Sequence, residues 1–220
     1  MKFSEETLGV IKNFSTINQS ILFKKGEKKL ATISPQKSVI AYATIPENIP
    51  QEFAVYDLNQ FLAVIGTFED PEYKFTKDHV QINGDGASQT YRYTDTMLVT
   101  APPETVKMPE AEVTFTLKKD DLQKVVRAAN VNTLPEITFR GKKQILTVEA
   151  TDSTNSSANS FLVELADIAG PTDFTVIFKL ENMKMFEQTY EVSLTPDVAH
   201  FDGGDIEYYI APEKKSKIGD

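Results

Sequence analysis

Few residues of this 220-residue chain could carry acid–base or nucleophilic chemistry, and they are scattered. There are two histidines and no cysteine, which excludes a thiolate nucleophile, a disulfide framework and a thiolate zinc site. His79 falls at a junction of turn and strand, and His200 inside the alternating run Val198-Ala199-His200-Phe201. Both read as strand residues rather than catalysts. No Gly-x-Ser-x-Gly elbow is present to expose a serine. Gly84-Asp85-Gly86 and Gly203-Gly204 lie between strands, not ahead of a helix whose N-terminus could hold phosphate. Asp202 and Asp205 flank the diglycine, where turn chemistry accounts for them. Asp152, Asp167 and Asp173 are spread over loops. The expectation is a protein that is not an enzyme and uses no metal or other cofactor.

The basic side chains are more informative. Residues 4–18 predict a helix with Ser4 as N-cap and Glu5 and Glu6 in the first turn, where the helix dipole favours them. At about 100° per residue, Leu8, Val10, Ile11, Phe14 and Ile17 gather on one face. Gly9, Lys12 and Thr16 lie opposite. Residues 118–131 repeat the design, with Asp120 and Asp121 early, Leu122, Val125, Val126 and Ala129 apolar, and Lys124 and Arg127 facing away. Leu8 and Ile11 match Leu122 and Val125 at one constant offset. Any amphipathic helix carries solvated cations opposite its core. That both copies do so in a chain of net charge −9 points to a basic stripe with a use. No aromatic residues interleave with these charges, so the stripe does not suit stacking on single strands. Contacts of this kind meet phosphates and carry no sequence information.

The elements that must position these helices also come in duplicate. After the first helix, Ile21–Lys24, Leu30–Ile33 and Val39–Thr44 read as short strands, and after the second, Glu136–Arg140, Ile145–Ala150 and Phe161–Leu165. Each half then has an apolar strand running into a second short helix, at Phe53–Leu62 and at Phe174–Met183. Three strands close each half, at Tyr73–Thr76, Val80–Asn83 and Gln89–Tyr93, and at Tyr190–Thr195, Val198–Asp202 and Ile206–Ala211. A Pro-rich extended connector, Ala101–Pro109, separates the halves. The expected fold is α+β: a duplicated domain, each copy an antiparallel sheet carrying two helices, with domains at 1–108 and 109–220. Residues 1–108 hold 11 basic and 13 acidic groups, and residues 109–220 hold 12 and 19.

Composition sets the outer bounds. Hydrophobic residues at 40% and charged residues at 25% are enough for a real core. No apolar run reaches the roughly 18 residues of a spanning helix. The start, Met1-Lys2-Phe3-Ser4-Glu5-Glu6, is acidic and lacks the apolar stretch of a signal peptide. A second surface is apolar: Leu98, Val99, Val106 and Met108 line the connector, and Tyr208, Tyr209 and Ile210 end the last strand. Exposed apolar groups there would mark a docking surface, or would simply tie the connector to its sheet.

Four segments carry a family resemblance: Lys12-Asn13-Phe14-x-Thr16-Ile17-Asn18, Val55-Tyr56-Asp57-Leu58-Asn59-x-Phe61-Leu62, Asp121-Leu122-Gln123 and Asn182-Met183-Lys184-Met185. In this order and spacing the chain resembles the sliding clamps of T-even-type bacteriophages, in the fold group of proliferating cell nuclear antigen. The resemblance implies a homotrimeric ring around duplex DNA, with helices lining the hole, sheets outside, and edge strands of neighbouring subunits paired. It implies an ATP-driven clamp loader, a DNA polymerase held by its C-terminal peptide, a link to late transcription, and the cytoplasm of an infected bacterial host. Lys12, Lys124, Arg127 and Lys184 match or neighbour positions expected to face DNA. Leu98, Val99, Val106, Met108 and Ile210 are expected to form the partner-peptide pocket. The connector's Pro102-Pro103 and Met108, and the basic tail from Pro212 to Asp220, depart from the family pattern beside that pocket. A structural or scaffold virion protein would also explain a β-rich duplication, but not paired basic helices. A hydrolase is opposed by the sparse histidines and the missing motifs.

Overall fold

The computed structural model describes residues 1–143, 145–165 and 173–219, so Asp167 lies outside the described residues. The chain divides into two compact units, Met1–Pro103 and Glu104–Asp220, a division somewhat before the expected boundary at residue 108.

The first unit begins with α1 (Glu5–Ile17). The Ser4 side chain accepts from the Thr7 amide at 3.1 Å, satisfying one of the unpaired N–H groups of the first turn. The Glu47 carboxylate completes the cap, accepting from the Ser4 amide and the Thr7 hydroxyl. These bonds pull Thr7 inward. The buried stripe is Thr7, Val10, Ile11 and Phe14, whereas Leu8 and Ile17, expected inside, are half-buried. Next come β1 (Ile21–Phe23), β2 (Lys29–Ile33), β3 (Val39–Thr44) and β4 (Phe53–Val55). β1 pairs antiparallel with β4, and β2 with β3. Phe23 stacks on Phe53 with ring centroids 4.4 Å apart in the core. Asp57 then caps α2 (Leu58–Ile65) by accepting from the Gln60 amide at 2.9 Å, and Leu58, Phe61 and Ile65 are buried. The unit closes with β5 (Glu72–Phe75), β6 (His79–Gly84) and β7 (Ala87–Arg92), a meander with β6 in the middle. Its second hairpin turns at Asp85 (φ 52°) and Gly86 (φ 74°), the two positive φ angles of a type I′ turn.

The second unit opens with β8 (Val113–Leu117), a strand not among those expected, although it alternates strictly and buries Val113, Phe115 and Leu117. Then follow α3 (Lys119–Val131), β9 (Glu136–Lys142), β10 (Ile145–Thr151), β11 (Phe161–Leu165) and β12 (Phe174–Lys179). β9 pairs with β12 and β10 with β11, the same pairings as in the first unit. β13 (Tyr190–Leu194), β14 (Ala199–Asp202) and β15 (Ile206–Ile210) pair in sequence, and β8 joins the outer side of β13. The basic tail contributes β16 (Lys217–Ile218), antiparallel to β12, which was not foreseen.

One expected element is reduced. The second helix predicted after β12 is a single 3-10 turn, Leu180–Asn182. Its N-cap position holds Lys179, which has no acceptor for the first amides, whereas the matching place ahead of α2 holds Asp57.

Candidate nucleic-acid interface

α3 is anchored by Leu122, Val125 and Ala129, all buried, a stripe at helical spacing turned toward β9, β10 and β11. Lys124 and Arg127 lie on the opposite side of the helix from these anchors and are exposed, as expected. Beside them lies an open groove of about 1440 Å³, lined by α3, the Leu180–Asn182 turn and the residues that follow it. Lys124, Arg127 and Lys184 all line it, so the structure brings three of the four expected DNA-facing residues of this chain onto one concave surface. Lys12 belongs to the first unit, exposed on α1.

The groove also contains Lys179, which was not among the expected residues. Its signal was available: the last residue of a strand, opposite in parity to the buried Val176 and Phe178 and immediately ahead of a turn. Carboxylates share the surface, among them Asp120, Glu136, Asp152, Glu181 and Glu187. Lys124 pairs with Asp121 at 3.3 Å and Lys179 with Glu181 at 3.9 Å. Exposed pairs of this kind contribute only about 0–1 kcal/mol, so the cations can be drawn from them to a phosphate. Arg127 makes no ion pair among the described residues. Lysine and arginine in a wide groove with no aromatic lining suit loose contact with a charged backbone.

The expected peptide-pocket residues fare differently from one another. Leu98 is 66% exposed, and its neighbour Met97, not anticipated, 87%. Both belong to the 3-10 turn Thr96–Leu98, which Asp95 caps by accepting from the Met97 amide at 2.9 Å. Val99 is nearly buried, and Val106 and Met108 are half-buried. Ile210 is a correction. In β15 the residues Ile206, Tyr208 and Ile210 point into the core while Glu207 and Tyr209 point out, so Ile210 has no exposed surface in this chain to offer a peptide. Strand parity, not nearness to the chain end, decides its direction.

The histidines are held in local hydrogen bonds. His79 Nδ1 lies 2.8 Å from Asp78 and 3.0 Å from the Thr76 hydroxyl, both on the same ring nitrogen, so the ring cannot relay a proton from one to the other. His200 Nε2 lies 2.9 Å from Glu207, and its ring stacks on Tyr209 with centroids 4.4 Å apart. Among the described residues, no group of three or more potential ligands is placed to hold a metal ion.

Comparison with known proteins bears on the same surfaces. Residues 4–106 match the model of a DNA polymerase processivity factor, and residues 114–214 that of the gp45 sliding clamp, C terminal. The chain is 34% identical to the sliding clamp of Vibrio phage KVP40, over 97% of this chain and 99% of that one. It is 28% identical to the sliding clamp of Enterobacteria phage T4, over 98% of each. In fold, it matches proliferating cellular nuclear antigen from Entamoeba histolytica with a TM-score of 0.71 at 13% identity, covering 96% of this chain and 97% of that one. It matches A. fulgidus PCNA, solved with the C-terminal region of FEN-1, with a TM-score of 0.72 at 15% identity, covering 100% and 98%. Duplicated α+β units and identity sustained along the whole chain place this protein in the family of phage sliding clamps.

Proposed function

We propose that the chain is one subunit of a closed homotrimeric ring that encircles duplex DNA, without reading its sequence, and tethers a replicative DNA polymerase to it. It performs no catalysis itself. The observation that carries this reading is the gathering of Lys124, Arg127 and Lys184 on one groove, where exposed carboxylates accompany them, in a chain whose length matches phage sliding clamps. A ring needs no tight grip on DNA; it needs a surface that offsets the repulsion between its own negative charge and the phosphates. Two open edges supply the means of closing such a ring. Among the described residues, β7 has a partner on one side only, and so has β11, which bears the exposed Phe161 and Leu162. Pairing one subunit's β7 with the next subunit's β11 would satisfy both edges, a head-to-tail contact that closes when the rotation fits.

Partners follow from the same reading. Leu98 is the exposed anchor proposed for the C-terminal peptide of the polymerase, and an ATP-driven loader is needed to open a closed ring. A role in late transcription, and action in the cytoplasm of an infected bacterium, belong to the proposal on family grounds. The test is native mass spectrometry together with primer extension. A trimer that makes the polymerase processive is the expected result. A strictly monomeric species at micromolar concentration, with no effect on extension, would overturn the reading. Replacing Leu98 by Asp should weaken the polymerase peptide about tenfold or more while leaving the trimer intact.

A further inference from the structure

Lysines are concentrated in one place that the helix faces do not explain. The turn between β1 and β2 reads Lys24-Lys25-Gly26-Glu27-Lys28-Lys29, so it holds four of the first unit's ten cationic side chains. Its backbone is fixed rather than loose. The Gly26 amide donates to Ile49 O at 2.8 Å, the Ile45 amide to Lys28 O at 2.8 Å, and the Ile49 amide to Glu27 O at 3.2 Å. Lys24 reaches Glu27 at 3.8 Å, and Lys29 lies 4.0 Å over the Tyr42 ring. Lys25 and Lys28 are exposed and form no ion pair among the described residues.

The second unit repeats the feature. Because β9 pairs with β12 and β10 with β11, as β1 does with β4 and β2 with β3, the β9–β10 turn is the counterpart of the β1–β2 turn. It presents Lys142 and Lys143, both exposed. Lys143 has φ 51°, a left-handed conformation in which glycine or asparagine would be less strained. Each unit thus carries an exposed lysine-bearing turn at the corresponding place, in a chain of net charge −9.

We propose that these two turns are a second phosphate-contacting set, meeting duplex DNA beyond the stretch faced by α1 and α3. The inference rests on the sliding-clamp reading and adds a contact to it. Phosphate is favoured over an acidic protein surface on composition. Lysine is depleted at protein interfaces, which depend on aromatic and apolar anchors, and no large apolar side chain is exposed between Met1 and Tyr56. Compact cations on a fixed backbone suit a repeating line of single charges.

The test is amine acylation of the assembled protein at low salt, with and without a short duplex, read by mass spectrometry. Lys25, Lys28, Lys142 and Lys143 should lose reactivity on adding DNA together with Lys124 and Lys184, while exposed Lys74 and Lys107 keep theirs. Replacing the four turn lysines by Gln should also flatten the dependence of DNA affinity on salt, by about 0.9 in logarithmic slope for each phosphate no longer neutralised. Protection of Lys124 and Lys184 without the turn lysines would overturn this inference and leave the clamp reading standing. Protection of neither set would also overturn the inference, and would leave the ring to its own test by native mass and primer extension. Protection of the turns only after polymerase is added, with no DNA, would assign them to an acidic protein and also overturn the inference.

Discussion

The two units follow the same chain order and differ where a second helix is called for. In the first, Asp57 caps α2, which buries Leu58, Phe61 and Ile65 beside α1. In the second, Lys179 stands at the equivalent place, only the turn Leu180–Asn182 forms, and that turn lines a groove with Lys124, Arg127, Lys179, Lys184 and several carboxylates. The units thus differ at one matched position, with an acceptor ahead of the packed helix and a cation ahead of the short turn, although α3 keeps its full length behind Lys118, which caps nothing.

The largest expected effect follows from that asymmetry. Reversing Lys124, Arg127 and Lys184 to Glu should abolish processive extension while the trimer still forms, and reversing Lys12 alone should reduce it only partly. Equal losses from the two variants, measured on a primed template, would show that the groove is not the main DNA surface. Next in size is Gly141→Ala. A Cβ there would lie 2.3 Å from the Phe174 ring, which is buried in the same sheet. Overpacking of this kind costs about 1–3 kcal/mol, so the midpoint of urea unfolding should fall.

Capping gives a smaller effect. Asp57→Ala should destabilise by about 1 kcal/mol, seen as faster amide exchange in α2. The complementary change Lys179→Asp should lengthen the Leu180–Asn182 turn toward a helix and weaken DNA retention. If Lys179→Asp leaves the amide shifts of residues 180–183 unchanged, the cap is not what separates the units. The smallest effect concerns Glu47. Burial would raise its carboxyl, but hydrogen bonds from the Thr7 hydroxyl and from Ser4 outweigh that and hold it below the ordinary value. A lowered carboxyl stabilises the fold at pH above its ordinary range, and the contribution is lost as pH falls through the lowered value. The melting temperature of Glu47→Gln should therefore lie below that of the parent at neutral pH, and the gap should close in acid.

Much of this was legible in the sequence, because helical period and strand alternation are local signals. The exposed faces of α1 and α3 follow from residue spacing, and the β6–β7 hairpin follows from Asp85-Gly86. What the sequence hid depends on partners distant along the chain. Thr7 turns inward because Glu47, far away in sequence, receives its hydroxyl. β16 exists because Ser216 and Glu213 bond the edge of β12 at Ile177, which no pattern in a basic tail announces. Two departures had local signals all the same. The parity of β15 places Ile210 in the core, and the lysine before Leu180 withholds a cap from the second helix. The groove, which gathers Lys124, Arg127, Lys179 and Lys184, could not be read from the chain, because it joins segments far apart in sequence and no local pattern shows that they meet.

In the proposed ring the protein would stay on DNA because it surrounds it, not because it binds tightly. Protein loaded onto a nicked circular duplex should remain associated at a salt concentration that screens its lysines, and should be released when a restriction enzyme linearises the circle. Equal retention on circular and linear DNA, or loss from both as salt rises, would contradict the account.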